Sequence, residues 1–327
     1  MDKRTLLQGA AAALLLAGLG VTAAAQTFPN KPIRWVLGFP AGGANDFIAR
    51  TVAVGLSREL GQPVVIDNKA GASGIIAAEL VSKAPADGYT IFTVENGIAV
   101  NNVGLFKKLP YDPVKDFAPV GLIARFPMII AAYPGSPYRD AKDLIEGLRK
   151  GAGNASYATP GVGTPHNLAM EMLKDSAHID AIPVHYKGGA PGLQDAMGGQ
   201  IALILTDYTT AGPLFRTGKL RPLGAFSKGG VAELPGLQSL VDLGYVNTEA
   251  YAWQGLVVPA GTPAAVRERM SQALQRTLKM PDIRAKLLEA GLEVTPSGPE
   301  EMRIYVEKER DHWLPLIRDK KISAEGA

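Results

Sequence analysis

The chain has no cysteine, so neither a disulfide framework nor a thiolate metal site can form, and an oxidising compartment leaves it chemically untouched. Histidine is almost as scarce. Of the four present, His166, His178 and His185 do not form a helical pair with a carboxylate of the His-Glu-x-x-His kind, and metal binding is not expected. An excess of one charge is also missing: 34 Lys and Arg stand against 31 Asp and Glu, a formal net charge of +3. That balance offers no broad field for nucleic acid, so selectivity must reside in a local site. The glycine-rich segments contain neither Gly-x4-Gly-Lys-Ser/Thr nor Gly-x-Gly-x-x-Gly, which argues against nucleotides and dinucleotides, and no cofactor is expected. A Gly-x-Ser-x-Gly nucleophile elbow is absent, and Ser73 in Gly71-Ala72-Ser73-Gly74 does not supply one. Nothing forms a recognisable catalytic set.

What is present begins with an export signal. Lys3 and Arg4 precede an almost uncharged Ala- and Leu-rich run, Leu6 to Ala25, that ends in Ala23-Ala24-Ala25. A basic head, an apolar centre and small residues before the cut are what signal peptidase requires, so residues 1–25 read as a cleaved signal peptide, with a retained anchor as the alternative. Lys3-Arg4-Thr5-Leu6-Leu7 also resembles a twin-arginine motif with lysine in first place. No second run is long and apolar enough to cross a membrane, so the mature protein is expected to be soluble. The roughly 300 residues that remain exceed what one core usually organises and suit two lobes.

Along the mature chain, Ile33 to Leu37 reads as a strand, and Ile48, Val52, Leu56 and Leu60 recur every four positions in the helix that follows. Val64 to Ile66, Gly74 to Lys83 and Tyr89 to Val94 continue a β-α-β-α-β alternation, which implies a mainly parallel sheet with helices on both faces. A second set starts near Met128 and includes strands at Ser156–Ala158, Ile182–Tyr186 and Ile201–Leu205 and a helix carrying Leu168, Met172 and Leu173. From Trp253 onward the pattern turns helical, with Met270, Leu274 and Leu278 on one face, then Ile283, Leu287 and Leu288, and a last helix opened by Ser297-Gly298-Pro299-Glu300.

Two loops stand where strands hand over to helices. In Phe39-Pro40-Ala41-Gly42-Gly43-Ala44-Asn45-Asp46 the glycines permit a sharp turn and close approach of a ligand, and a helix N-terminus offers free N–H groups to an anion. The alternative is an ordinary turn capped by Asn45 or Asp46. Thr159-Pro160-Gly161-Val162-Gly163-Thr164-Pro165 repeats the design, with Thr164 suited to the N-cap and proline at the first helical position. His166 and Asn167 follow directly. Tyr186-Lys187-Gly188 adds a phenol and a cation after another strand; Lys187 either compensates a ligand's charge or is a surface lysine. Asp207 ends an apolar strand, where ligands of open α/β sheets collect, or else caps the turn after it. Glu95 and Asn96, at the end of the third strand, carry the same two readings. The candidate ligand-binding set is therefore Phe39, Gly42, Gly43, Asn45, Asp46, Glu95, Asn96, Thr159, Gly161, Gly163, Thr164, His166, Asn167, Tyr186, Lys187 and Asp207.

These residues stand inside a longer resemblance. Phe28-Pro29-x-Lys31-Pro32-Ile33, Pro40-Ala41-Gly42-Gly43-x-x-Asp46-x-x-Ala49-Arg50, Gly61-Gln62-Pro63-Val64-Val65, Asn68-x-x-Gly71-Ala72, Ala86-Asp87-Gly88-Tyr89-Thr90, Asp112-Pro113-x-x-Asp116-Phe117, Gly161-x-Gly163-Thr164, Tyr186-Lys187-Gly188 and Gly261-Thr262-Pro263 occur in one order over nearly the whole mature chain. In this the chain resembles the Bug or TctC group, periplasmic solute receptors of tripartite tricarboxylate transporters. The resemblance implies a two-lobed class II periplasmic binding protein, a Venus flytrap, in which two glycine loops hold one carboxylate end of the ligand, partly through ordered waters. On it, Gly42, Gly43 and Asp46 belong to the first loop and Thr159, Gly161, Gly163 and Thr164 to the second. Three positions depart from the pattern: Asn167 stands where histidine is usual before leucine, His185 where proline is usual before Tyr186-Lys187, and the usual Pro-Thr is lost around Pro235-Gly236-Leu237.

The expected organisation is a first lobe from residues 27–125 and 248–327 and a second from 126–247, with the ligand in the cleft between them. The expected function is capture of a small mono- or dicarboxylate, aliphatic or aromatic, by hinge closure, with delivery to a membrane transporter. A receptor presenting its closed form to a membrane sensor kinase is the alternative, and a hydrolase or isomerase using His166 and Asp46 is a remote third. No nucleic-acid partner is expected, and the protein is read as a monomer.

Overall fold

The computed structural model describes residues 28–151 and 155–325, and the export segment lies outside the described residues. In chain order the first elements are β1 (Ile33–Leu37), α1 (Ala44–Leu60), β2 (Val64–Asn68), α2 (Ile75–Ser82) and β3 (Thr90–Glu95). A wide turn over Gly97–Asn101 then runs into the short α3 (Asn102–Leu105), and β4 (Phe117–Pro127) leads out of this lobe. The second lobe holds β5 (Ile129–Ala132), α4 (Ala141–Arg149), β6 (Ser156–Thr159), α5 (Pro165–Ala177), β7 (Ile182–His185), α6 (Gly189–Met197), β8 (Leu203–Thr206), α7 (Tyr208–Arg216) and β9 (Arg221–Ala225). The chain returns through β10 (Tyr251–Pro259), α8 (Ala264–Lys279), α9 (Pro281–Glu289), β11 (Glu293–Val294) and α10 (Pro299–Asp319).

Among the described residues the first sheet has the order β11-β4-β10-β3-β1-β2 and the second β7-β6-β8-β5-β9. Each is parallel where the strand-helix alternation operates: β1 pairs with β2 and β3, and β6 with β7 and β8. Pairing is antiparallel where strands travel between lobes, as β10 does against β3 and β4, and β5 against β8 and β9. The long strand β4, together with β9 and α4, escaped the sequence reading, which also took the strand β10 into a helical stretch and the helix α7 for a turn. Nine of the eleven residues of β4 are buried and only Pro119 and Arg125 are partly exposed, so it lacks the in-out alternation that marks a half-exposed strand.

The periodic apolar residues do what their spacing demands. Ile48, Val52 and Leu56 of α1 are fully buried, as are Met270, Leu274 and Leu278 of α8, each side chain contributing on the order of 1.5–3 kcal/mol on leaving water. On α9, Ile283 and Leu287 are buried whereas Leu288 is 40% exposed. Three tryptophans, Trp35, Trp253 and Trp313, are the largest fully buried side chains, and the Trp35 indole N–H donates to Thr93 Oγ1 at 2.9 Å.

The lobes are joined where a single residue, Met128, separates β4 from β5. A small ladder ties both crossings together: Phe226 N–H donates to Met128 O (2.9 Å), Ala250 N–H to Phe226 O (2.9 Å) and Met128 N–H to Ala250 O (3.4 Å). All three residues are buried. This narrow, hydrogen-bonded waist is where the two chain crossings between the sheets lie side by side.

Candidate functional site

The first glycine loop follows β1 and ends in α1. Gly43 is the N-cap residue in an extended conformation, and no side chain caps the helix. The first intrahelical bond is donated by Phe47 N–H to Gly43 O at 3.0 Å, so the first-turn N–H groups lie open, with the positive end of the helix dipole behind them. Gly42 adopts φ +88°, a left-handed conformation, and its N–H donates to Asp46 Oδ2 at 2.9 Å. Asp46 is buried and holds the loop rather than the helix end: it also accepts from Arg50 Nε (2.9 Å) and Asn68 Nδ2 (3.0 Å). Burial pushes its carboxyl upward, but the hydrogen bonds from Arg50, Gly42 and Asn68 outweigh that and leave it below the usual range. Asn68 Nδ2 reaches Phe39 O as well (3.0 Å), and the half-buried Phe39 ring packs against the core. Asn45 has a shielded Oδ1 without a protein partner.

Beside this loop lies a turn that sequence reasoning passed over. Gly71, Ala72, Ser73 and Gly74 all have positive φ, at +137°, +46°, +52° and +81°. Left-handed backbone costs a residue with a Cβ about 1–2 kcal/mol, so a run containing Ala72 and Ser73 persists only where its surroundings impose it. Here Asn102 Nδ2 donates to Ser73 O (3.1 Å), and a Cβ at Gly38 would lie 2.9 Å from the Gly74 Cα. The available signal was the pair Gly71 and Gly74.

The second loop is built differently. Thr164 caps α5, accepting from Asn167 N–H at 3.4 Å, and Asn167 Oδ1 accepts the Gly163 N–H at 3.0 Å. Thr159 Oγ1 takes the Gly161 N–H at 3.2 Å and contacts Thr164 Oγ1 at 3.1 Å. Behind it, Asn167 Nδ2 donates to the Tyr157 hydroxyl (2.9 Å), which donates to Glu171 Oε1 (3.0 Å); burial and the Glu171 carboxylate push the Tyr157 phenol up. The expectation of two equivalent sets of free N–H groups therefore needs correcting. In the second loop the Gly161 and Gly163 donors are satisfied internally, because Thr159 and Asn167 are short polar side chains placed to reach them.

Gly163 also touches the other lobe. Asn101 Nδ2 donates to Gly163 O at 2.8 Å, and a Cβ on Gly163 would fall 2.2 Å from Leu105 Cδ1. Through Gly38, the turn at 71–74, Asn102 and Asn101, a chain of contacts links the two glycine loops. Thr209 Oγ1 to Ala290 O (2.8 Å) makes a second interlobe contact. A cavity of about 280 Å3 opens there, lined by Phe47 from the first lobe and by Tyr208, Thr209 and Arg216 from the second.

On the second lobe's side His166 Nε2 stands 3.6 Å from Asp207 Oδ2, both side chains being almost fully enclosed, and His166 Nδ1 has no protein partner. Asp207 caps α7, accepting from Thr210 N–H (2.8 Å) and Thr210 Oγ1–H (3.0 Å). The Tyr186 hydroxyl donates to Asp195 Oδ2 at 2.7 Å, which pushes its phenol up, and Lys187 is exposed. Glu95 and Asn96 are engaged within the first lobe. Glu95 accepts from the N–H groups of Gly97 (2.7 Å) and Ile98 (2.8 Å), burial raising its carboxyl despite both bonds. Asn96 accepts from Trp253 N–H (3.1 Å) and donates to Tyr251 O (3.3 Å) and Glu309 Oε2 (3.0 Å). For these two, the turn reading describes what the side chains do. Asp46 and His166, the pair a hydrolytic reading requires, are each engaged elsewhere, Asp46 with Arg50 and His166 beside Asp207.

The model of the tripartite tricarboxylate transporter family receptor matches residues 48–322. The chain belongs to this family. A protein from the tcbD-tcbE intergenic region of Pseudomonas sp. strain P51 is 33% identical over 298 residues, 91% of this chain and 88% of that one. Among solved structures, the Rhodopseudomonas palustris protein Rpa4515 with adipate is similar with a TM-score of 0.85 and 32% identity, over 90% of this chain and 99% of that one. MatC from the same organism, with bound malate, has a TM-score of 0.81 and 28% identity, over 89% and 100%.

This family of receptors binds solutes and does not transform them. Among the described residues no group of His, Asp and Glu is placed to hold a metal ion, and no helix is long and apolar enough to cross a membrane. The first lobe has an uncapped helix start at Gly43, and the second a pre-bonded loop with His166 and Asp207 near it. Asn68 and Arg50 hold the first loop, and Asn101 and Leu105 meet Gly163, without having been singled out as site residues; Asn68 and Arg50 were visible only as parts of longer motifs.

Proposed function

We propose that this receptor captures a small mono- or dicarboxylate, aliphatic or aromatic, between its lobes in the periplasm and delivers it to the membrane components of a tripartite tricarboxylate-type transporter. The observation that carries this is the uncapped N-terminus of α1 at Gly43, in a loop that Asp46, Arg50 and Asn68 hold rigid. Fixed N–H donors at the positive end of a 17-residue helix favour a carboxylate without a basic side chain. Each such bond contributes on the order of 1–3 kcal/mol, so three or four converging donors support micromolar binding, about 8 kcal/mol. The adipate and malate bound by the two similar proteins are carboxylates of this kind. On the second lobe, the Thr159–Thr164 loop, His166, Asn167, Tyr186, Lys187 and Asp207 form the opposing wall and discriminate what is attached to the carboxylate.

The test is a thermal-shift screen of organic acids against the mature protein, beginning with adipate and malate. A bound acid at 100 times its Kd raises stability by about 2.7 kcal/mol. If no acid of the panel shifts the transition while an amine or an uncharged solute does, the carboxylate reading fails.

A further inference from the structure

On its first-lobe side the waist at Met128, Phe226 and Ala250 is fastened by a part-buried polar cluster centred on Glu309 of α10. Glu309 Oε2 accepts from the indole N–H of Trp253 (2.9 Å), the indole N–H of Trp313 (2.9 Å) and Asn96 Nδ2 (3.0 Å). The Tyr305 hydroxyl bonds it too, and its ring stands edge-on to Trp253 with centroids 5.6 Å apart. Trp253 and Tyr251 are the strand residues immediately after the crossing at Ala250, and Asn96 grips both through Trp253 N–H and Tyr251 O. Arg125, opposite Trp253 in β4, lies over the Tyr251 ring at 4.1 Å and pairs with Glu293 at 2.6 Å. Asn96 also begins the turn Gly97–Asn101, whose last residue donates to Gly163 O across the cleft.

We infer that Glu309 is a positioning residue for lobe closure: through Asn96 and Trp253 it fixes the first-lobe end of the hinge strand in register with the Asn101 amide that meets the second glycine loop. This rests on reading the molecule as a receptor whose lobes open and close. A carboxylate with three donors on one oxygen cannot be replaced by an apolar side chain without stranding those donors, and two of them belong to residues that touch the hinge strand. The same acid therefore governs where the rotation starts and where the far loop arrives. Neither Asn96 nor Glu309 needs to touch the ligand.

The absence of cysteine provides the test. Lys83→Cys on the first lobe and Lys150→Cys on the second, at side chains 68% and 79% exposed, take a donor and an acceptor dye. Single-molecule energy transfer on the unliganded protein then reads the spread of lobe separations. Asn96→Ala and Glu309→Leu are expected to broaden that spread alike, with no further broadening when combined, and Glu309→Gln, which retains an acceptor oxygen, to recover most of the wild-type spread. Trp313→Phe removes a donor remote from the hinge strand and is expected to leave the spread unchanged. Thermal midpoints are recorded for each. A wild-type spread in Asn96→Ala overturns the inference, and so does equal broadening by Trp313→Phe, which would make Glu309 a residue of core stability only. Should Glu309→Leu fail to fold, Asn96→Ala carries the same reading. Because no ligand is added, a protein that bound no acid would fail the functional test and still answer this one.

Discussion

Gly163→Ala separates the strain of a backbone from the blocking of a closure. Gly163 has φ +66°, so alanine there carries a strain of about 1–2 kcal/mol in every folded state and lowers the ligand-free melting temperature by several degrees. The new Cβ would also lie 2.2 Å and 2.5 Å from the two methyl carbons of Leu105, a buried side chain that would have to shift. On the closure proposed above, that conflict and the Asn101 bond to Gly163 O are made only when the lobes come together, and overpacking of this kind costs about 1–3 kcal/mol. The closed form alone bears the second cost, so affinity should fall roughly 5- to 150-fold. Isothermal titration with the acid that gives the largest thermal shift measures the fall. In Gly163→Ala/Leu105→Ala the conflict is relieved, so affinity should recover while the backbone strain and the missing Leu105 side chain keep stability low. Unchanged affinity in the single mutant, or no recovery in the double, refutes the reasoning.

Other expectations follow from the same geometry. Gly43 has φ −88° and a Cβ there would meet nothing within 4 Å, so Gly43→Ala should cost the fold no more than about 1 kcal/mol yet weaken ligand binding at least about tenfold; equal affinity would place the carboxylate elsewhere. Asn167→Leu strands the Gly163 N–H and one partner of the Tyr157 hydroxyl and should lower unfolding free energy by about 1–3 kcal/mol in urea; an unchanged midpoint would show that the Tyr157–Glu171 chain does not hold the loop. Asp46 has a carboxyl held below its unfolded value of 3.8, so its contribution to stability is full above that value and is lost as pH falls through it toward the lower folded one. Asp46→Asn should flatten the fall in melting temperature between about pH 5 and pH 3; an identical slope would contradict the assignment.

The strand-helix alternation and both glycine loops were legible because their signals are local: apolar residues every four positions in α1, glycine before a helix, proline at N1 of α5. What stayed hidden depends on partners far along the chain. Asn68 reaches back 22 residues to Asp46, and Asn101 reaches 62 residues forward to Gly163. Nothing in the immediate surroundings of either asparagine announces such a partner, and no periodicity reports it. Glu95 and Asn96 show the converse, since their place at a strand end suits both a ligand residue and a turn, and only the N–H groups of Gly97, Ile98 and Trp253 distinguish the two. Strand β4 was missed because burial on both faces erases alternation.

The second glycine loop keeps its shape by bonds to its own Thr159, Thr164 and Asn167, whether or not anything lies against it. Such a loop has no reorganisation to perform when a guest arrives, so little of the binding energy is lost to ordering it. It also means that neighbouring wall residues such as His166 and Lys187 can be exchanged without rebuilding the loop. On the proposed mode of binding, the second lobe is the interchangeable half for anyone wishing to retune what this receptor recognises, and the helix start at Gly43 is the part to leave alone.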